Sequence, residues 1–177
     1  MAKYVYTTSA YSYILDSRRY FSDNGIAIRI GTTTQGIDVY TGNQMILSNN
    51  KIPCDIRTWV HLVVQRVSGA IALYANGYKV AETMYTGSIV STDSRLIIGN
   101  SVYPNLQYGN MFNGWLSDIR IIKGATGYAV NGVNPDRIAV PTEPVPVTPE
   151  TVLSSLNSPV VRDLSSKNNY IYWNTSQ

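Results

Sequence analysis

The sequence has few side chains that could carry out chemistry. Its 177 residues include one cysteine, Cys54, and one histidine, His61. A single cysteine excludes an internal disulfide and a zinc site built from several cysteines. A single histidine leaves little for a catalytic triad or a histidine-based metal centre. We therefore expect Cys54 to be a small packed side chain and His61 to be a structural or surface residue.

Charged residues and long apolar runs are also scarce. Charged residues make up 14% of the chain and the formal net charge is +3. The lysines and arginines form no block, so the basic surface that binds nucleic acid is not predicted. No apolar run approaches the roughly 18 residues of a membrane-spanning helix. We therefore expect neither nucleic-acid binding nor membrane insertion.

The residues that are abundant are typical of an all-β protein. There are 14 tyrosines, and short apolar segments alternate with turn signals about every 8–12 residues, with little helical periodicity. Ile26, Ile28 and Ile30 share one face at period two. Asn76-Gly77 lies between two apolar runs and predicts a hairpin, because both residue types tolerate positive φ. The pattern predicts an antiparallel two-sheet β-sandwich or jelly roll, with residues 59–67 and 114–122 each forming one strand.

The composition changes after Val140. Residues 141–149 contain four prolines, whose fixed φ and missing N–H groups favour an extended, semi-rigid linker. The sequence therefore predicts a sandwich over residues 1–140, a linker over 141–150 and a C-terminal segment over 151–177 with two short strands. Because an isolated hairpin is marginally stable in water, this segment must pair with another part of a sandwich.

Four runs of residues carry a family resemblance. They are Trp59-Val60-His61-Leu62-Val63-Val64-Gln65-Arg66, Leu73-Tyr74-Ala75-Asn76-Gly77, Leu96-Ile97-Ile98-Gly99 and Phe112-Asn113-Gly114-Trp115-Leu116-Ser117-Asp118-Ile119-Arg120-Ile121-Ile122-Lys123-Gly124. Together they resemble the concanavalin A-like lectin/glucanase superfamily in its laminin-G-like form, from about residue 4 to residue 128. The amino-acid sequence of residues 119–128 most resembles that of laminin-G-like domains in bacteriophage structural proteins.

The resemblance implies framework roles for several residues. Trp59, Trp115 and Gly99 are expected to be core and turn residues. Asp118 and Arg120 alternate with isoleucines and are expected to share a face as a salt-bridged or backbone-bonded pair, with contact to a ligand or calcium as the alternative. The full framework set is Trp59, Asn76, Gly77, Gly99, Trp115, Asp118 and Arg120.

Members of this family usually open with a Leu-rich strand, a turn and a further strand, which are not found ahead of Lys3. Residues 151–156 and 163–169 resemble that opening. We therefore expect the C-terminal segment to complete a sandwich, in its own chain as a circular permutation or in a neighbouring subunit by strand exchange. A loose, truncated repeat is the alternative. The strand-exchange candidates are Val152, Leu153, Leu156, Tyr170, Ile171 and Tyr172.

Glycan-degrading members of the fold need two carboxylates on one strand face, roughly 5–5.5 Å apart in retaining enzymes. Glutamate occurs only at Glu82, Glu143 and Glu150, and Asp118 has no acidic neighbour at the required spacing. We therefore assign no catalytic residue and do not expect an enzyme.

Residues 100–110 combine aromatic, amide and hydroxyl side chains in a predicted loop, a composition that suits a glycan or a protein interface equally. The contact candidates are Tyr103, Asn105, Gln107 and Tyr108. No metal ligand or cofactor is assigned. Calcium is the alternative, because Asp93, Asn100, Asn105 and Asn110 carry suitable oxygens, although the same residues also form turns.

These expectations describe a non-enzymatic phage virion protein that decorates or cements the capsid, or acts as an adhesion module on the tail. Its partners would be other virion proteins, a second copy through strand exchange, and surface glycans. The alternative is a carbohydrate-binding, lectin-type module.

Overall fold

The computed structural model describes residues 2–4, 12–20, 22–31, 36–50, 58–93, 95–101, 111–124, 136–158 and 160–172. Thirteen strands and no helix occur in these ranges, so none of the described residues forms a helix that could span a membrane. The strands are β1 (Ala2–Tyr4), β2 (Ser12–Asp16), β3 (Ile26–Ile30), β4 (Ile37–Thr41), β5 (Gln44–Asn49), β6 (Trp59–Val60), β7 (Leu62–Val67), β8 (Ala70–Ala75), β9 (Tyr78–Met84), β10 (Ile97–Ile98), β11 (Gly114–Leu116), β12 (Ile119–Ile122) and β13 (Thr151–Ser155).

One layer of the fold is a five-stranded antiparallel sheet in the order β10-β2-β3-β4-β5. The period-two isoleucines of β3 direct one face of this sheet inward. Ile30 is buried, and Ile26 and Ile28 pack against the core.

The second layer consists of three smaller sheets with the orders β11-β1-β6, β12-β13 and β7-β8-β9. Only His61 separates β6 from β7, and only Ser117 and Asp118 separate β11 from β12. The small sheets therefore continue one another as a single layer. In this layer β1 lies between β11 and β6, and β13 lies beside β12.

Apolar side chains from both layers form one core, which β2–β5 supply from one side and β8 from the other. Its buried members are Ile14, Leu15, Ile30, Ile37, Val39, Ile46, Leu47, Ile71 and Leu73. The antiparallel sandwich that the strand pattern predicted is confirmed.

Both segments that were predicted as single strands are interrupted. At His61 the break is held by Asn76, whose side-chain oxygen accepts the His61 N–H at 3.0 Å and whose own N–H donates to the His61 carbonyl at 2.8 Å. At Asp118 the backbone has a φ of 54°, which ends the alternation of a strand. The two breaks lie in neighbouring parts of the second layer.

The turn between β8 and β9 consists of Asn76 and Gly77, with φ values of 49° and 84°. The chain returns to this hairpin at residues 136–140, where the Ile138 N–H donates to the Gly77 carbonyl at 2.8 Å. Ile138 packs with Ala72 and Tyr74. Because Ile71 and Leu73 of the same strand face the core, residues 136–140 cover the outer face of β8.

The C-terminal segment is anchored to its own chain by β13, which pairs antiparallel with β12 from Ile119 opposite Ser155 to Ile122 opposite Thr151. Residues 163–169 then run along the other edge of β13. There Asp163 accepts hydrogen bonds from the Ser154 and Asn169 N–H groups at 3.0 and 2.8 Å. Among residues 160–172 no strand forms, so the second tail strand, predicted around Tyr170, is not present in the described part of the segment.

Candidate functional site

Trp59 of β6 and Trp115 of β11 form an exposed aromatic pair, which we call the tryptophan pair. Both residues lie directly opposite Lys3 of the intervening strand β1, and directly opposite residues point to the same face of a sheet. Trp59 is 46% and Trp115 is 56% exposed. The two positions are about 10 Å apart, which is two interstrand spacings.

The expectation that Trp59 and Trp115 belong to the core is wrong. The inward positions of these two strands are taken by Val60, which is buried, and Leu116, which packs against the core. Because side chains alternate along a strand, the adjacent tryptophans must face outward. Because Trp59 and Val60 are both apolar, their alternation in the sequence does not show which of the two faces the core.

Directly along the layer from the tryptophan pair, a cavity of about 390 Å³ lies between β7 and β12. We call it the slot. Successive residues of both strands line it, Leu62–Arg66 on one side and Asp118–Ile122 on the other, and Ala2 of β1 closes one end. Inward it reaches core residues such as Ile28 and Leu73, and Pro141 and Val145 of the Pro-rich segment also line it. The slot is therefore a gap in the second layer.

Polar side chains in the slot lack some of their hydrogen-bond partners. Within the described ranges, no partner reaches the buried amide nitrogen and oxygen of Gln65, Oδ1 of Asp118 or Nε of Arg120. Buried polar atoms in native proteins are nearly always paired, so the partners of these atoms lie outside the described part of the chain or are water.

His61 also lines the slot and is only 8% exposed. Burial lowers the pKa of its imidazole, and the negative charge of Asp118 acts in the opposite direction. The ring is therefore largely neutral at pH 7, in line with the structural role expected for it.

Asp118 and Arg120 were expected to be a salt-bridged or backbone-bonded pair, and they do not form a salt bridge with each other. The Asp118 N–H donates to the Leu156 carbonyl at 2.9 Å, and Arg120 Nη2 donates to Thr151 Oγ1 at 3.0 Å and to Thr148 Oγ1 at 3.3 Å. The positive φ of Asp118 interrupts the strand, so the two residues no longer alternate on one regular face. Arg120 instead attaches the end of the Pro-rich segment to β12.

The outer face of the five-stranded sheet carries a second polar cluster, but its groups are already engaged. The Arg29 guanidinium stacks over Tyr40 at 4.2 Å from the ring centre and bonds to the Tyr40 hydroxyl. Arg29 Nε donates to Asp38 at 3.4 Å, and Ser48 Oγ donates to the same carboxylate at 2.7 Å. This cluster therefore offers a ligand less than the tryptophan pair does.

The predicted contact residues Tyr103, Asn105, Gln107 and Tyr108 lie outside the described residues. The residues that flank them are anchored at the β2–β10 edge. Ser101 Oγ donates to Asp16 at 3.0 Å, and the Phe112 N–H donates to the Gly99 carbonyl at 2.8 Å.

The calcium alternative is not supported by the part of its residue set that is described. Asp93 pairs with Arg95 at 2.7 Å, and the Asn100 side chain accepts the Ser101 N–H at 2.8 Å, whereas Asn105 and Asn110 are outside the described residues. In the described ranges, no three His, Cys, Asp or Glu side chains are grouped so that they could hold a metal ion.

Fold and surface together define an all-β sandwich with an exposed aromatic pair on one layer. The family profile Laminin_G_3, described as the concanavalin A-like lectin/glucanases superfamily, matches residues 3–127. The chain therefore belongs to this superfamily, as the sequence resemblance predicted. The matched range stops before the Pro-rich segment and β13.

A solved structure shares the fold over most of the chain. It is the 1.50 Å crystal structure of a "putative carbohydrate binding protein" from Bacteroides ovatus ATCC 8483, with a TM-score of 0.52 and 16% sequence identity. The similarity covers 94% of this chain and 53% of that one, so this chain spans about half the length of the Bacteroides protein. A search of curated protein sequences finds no match.

Proposed function

We propose that this chain is a lectin-type carbohydrate-binding module that holds an oligosaccharide across Trp59 and Trp115. The observation that carries the proposal is the placement of two half-exposed indole rings on one sheet face with a single strand between them. One sugar ring stacks on one indole, so the spacing suits an oligosaccharide that reaches both.

The physical basis is the amphipathic character of both partners. A sugar ring presents a face of C–H groups, which covers apolar indole surface, while its hydroxyl groups remain at the rim in contact with water or polar side chains. Tryptophan offers the largest such surface of any residue and carries an N–H donor at its edge. On a rigid sheet the rings are held in place before binding, so little entropy is lost when a ligand docks.

Two further observations support binding without catalysis. The structural neighbour is itself described as a carbohydrate binding protein, although only a putative one. The buried carboxylates of Asp16 and Asp163 are also fully engaged, by Arg18 at 2.8 Å and by the N–H groups of the tail respectively. Such carboxylates are unsuited to act as the free acid and nucleophile of a glycosidase.

The test is a glycan-array screen followed by calorimetric titration of the best oligosaccharide. Trp59→Ala and Trp115→Ala should each weaken binding about thirtyfold, the loss typical of removing a tryptophan that contributes about 2 kcal/mol at a contact centre. Tyr20→Ala is the matched control, because Tyr20 is 49% exposed but lies in the loop between β2 and β3, away from β6 and β11. It should bind like the unmodified chain.

Three results would count against the proposal: no glycan bound at millimolar concentration, unchanged affinity in both tryptophan variants, or an equal loss in Tyr20→Ala. Turnover of the bound oligosaccharide would instead point to an enzyme. Circular dichroism of each variant separates lost binding from lost folding.

The virion role expected from the amino-acid sequence of residues 119–128 receives no support from the family match or from the structural neighbour. It stays a prediction, along with its capsid or tail partners. Counting copies of this chain per purified particle by quantitative mass spectrometry is its direct test.

A further inference from the structure

The tryptophan pair fixes the direction in which a bound chain of sugars can lie. Trp59 and Trp115 both pair with Lys3, so the two positions stand on one line across β6, β1 and β11. Directly paired residues lie side by side, on a line perpendicular to the strands. An oligosaccharide that stacks on both indoles must therefore cross the three strands and span two interstrand spacings, about 9.6 Å.

This span selects the linkage of the sugar chain. Rings that are joined through equatorial bonds at both ends, as in cello-oligosaccharides, form an extended chain in which two units cover about the same length. Neighbouring rings of such a chain are turned over relative to each other, so the first and third rings present the same face to both indoles. A chain with axial linkages, as in malto-oligosaccharides, curves away from a sheet surface and cannot rest on both.

The segment that enters β11 places a polar side chain beside one of the indoles. Exposure alternates along this segment, since Met111, Asn113 and Trp115 are exposed whereas Phe112 and Leu116 pack against the core. Residues two apart in an extended segment point to the same side and lie about 7 Å apart. The Asn113 amide therefore lies on the open face, next to Trp115 in the direction of the strand.

That position suits the hydroxyl edge of a stacked sugar ring. When the ligand lies across the strands, the equatorial hydroxyl groups of its rings project along the strands, on either side of the ligand. The ring on Trp115 therefore directs one hydroxyl edge toward Asn113, whose amide can both donate and accept hydrogen bonds.

We propose that the tryptophan pair binds a single extended glycan chain with equatorial linkages, and that Asn113 determines specificity for the ring on Trp115. Three consecutive rings occupy the site, the first and third on the indoles and the second over β1. This proposal rests on the glycan-binding function proposed above and adds the linkage, the direction and the number of sugars bound.

The twist of the sheet favours a dissolved chain over a crystalline one. Neighbouring strands are rotated by roughly 20–25°, so β6 and β11, with β1 between them, differ by about 45°. The axis of this rotation is the line on which the ligand lies. A dissolved chain can follow the rotation by small changes at its linkages, whereas the chains of crystalline cellulose are held flat by their neighbours.

The first experiment measures affinity against chain length by titration calorimetry, with cello-, chito- and manno-oligosaccharides of two, three and four units. In at least one series the trisaccharide should bind about thirtyfold more tightly than the disaccharide, because only the trisaccharide covers both indoles. In Trp59→Ala and in Trp115→Ala this difference should fall to about threefold or less. Maltotriose, the matched control for cellotriose, should bind no better than cellobiose.

The second experiment removes the Asn113 amide. Asn113→Ala should weaken trisaccharide binding about fivefold, the loss expected for about one neutral hydrogen bond. In a Trp115→Ala background the same substitution should have no further effect, because the ring that it contacts is no longer held there. Asn43→Ala is the matched control, since Asn43 is also exposed but lies in the turn between β4 and β5. An equal loss in the control would overturn the role of Asn113, as would an unchanged affinity in Asn113→Ala.

The outcomes separate this proposal from the function on which it rests. If a glycan binds through both tryptophans but no equatorially linked series shows the step from two to three units, the linkage is wrong and glycan binding stands. Maltotriose binding as tightly as cellotriose would have the same meaning. Retention on microcrystalline cellulose that dissolved cellotriose does not reverse would overturn the single chain. Failure to bind any glycan would overturn both proposals.

Discussion

At the scale of single residues, buried carboxylates hold loops onto the sandwich. Asp163 accepts the N–H groups of Ser154, Ser165 and Asn169, at 3.0, 2.8 and 2.8 Å, and in this way attaches the tail to β13. Asp23 accepts the N–H groups of Arg19 and Thr92 at 2.8 and 3.0 Å. Both carboxylates act locally, through hydrogen bonds to their negative charge. Protonation at low pH should therefore weaken the hydrogen bonds of both Asp163 and Asp23.

The first prediction concerns acid stability. Although burial acts to raise the pKa of Asp163, its hydrogen bonds outweigh burial and lower this pKa to about 2, below the usual value of about 3.9. The carboxylate therefore stabilises the fold fully above about pH 5, and this contribution, roughly 2 kcal/mol, is lost as pH falls toward about 1. In Asp163→Asn, urea unfolding should show lower stability at pH 7 and a shallower decline between pH 5 and 2. An unchanged pH profile would contradict this role.

The second prediction concerns Gly77. A Cβ atom at this position would meet the Ile138 carbonyl oxygen at 2.8 Å, and its φ is 84°. Gly77→Ala should therefore add a steric clash to the strain of a left-handed backbone, each costing about 1 kcal/mol. The control is Gly124→Ala, where φ is 86° and nothing lies within 4 Å.

The difference between these two variants in free energy of unfolding measures the contact of residues 136–140 with the β8–β9 turn. Equal losses would mean that this contact contributes nothing.

At the scale of elements, β13 lies beyond residues 3–127, the range of the family match, and still packs as part of the sandwich. Leu153 is 7% exposed and lies opposite Ile121 of β12, whereas the neighbouring Val152 is half-buried. Along the same chain the Pro-rich segment passes the slot at Pro141 and Val145.

The third prediction is that Leu153→Ala destabilises the whole sandwich. Removing a buried leucine side chain typically costs about 2–5 kcal/mol, while Val152→Ala, the control, should cost under about 1 kcal/mol. Unfolding should stay a single transition when followed both by circular dichroism and by tryptophan fluorescence. A separate early transition in Leu153→Ala, with the main transition unmoved, would mean that β13 is not part of the cooperative unit.

Strand positions were well predicted where the alternation was regular, and poorly predicted where it broke. β3 occurs where the alternation of Ile26, Ile28 and Ile30 placed it. The interruptions at His61 and Asp118 were not predicted, because they depend on contacts with Asn76 and Leu156, which are remote in sequence.

At the scale of the whole molecule, the surface carries little net charge and a localised aromatic site. The net charge is +3, and the proposed ligand contact is made by two indole rings. Binding should therefore depend on apolar contact and hydrogen bonds, with little contribution from long-range electrostatic attraction.

The fourth prediction is that oligosaccharide affinity is nearly independent of salt. Between about 50 and 200 mM salt, Kd for a neutral oligosaccharide should change less than about threefold, whereas a protein contacting six to ten phosphates loses about a thousandfold or more over this range. Titration calorimetry at the two concentrations measures the difference. A steep salt dependence would indicate a polyanionic ligand.

The amino-acid sequence by itself determined the class of fold, most strand positions and the Asn76-Gly77 hairpin, because alternation and turn preference are local properties of the chain. The tertiary structure alone decided which side of each strand is covered. It placed Trp59 and Trp115 together on an open face, and it left a cavity between β7 and β12. The reason is physical: exposure and gaps arise from the packing of segments that are far apart in sequence. A local sequence pattern does not determine which of these segments packs against a given strand.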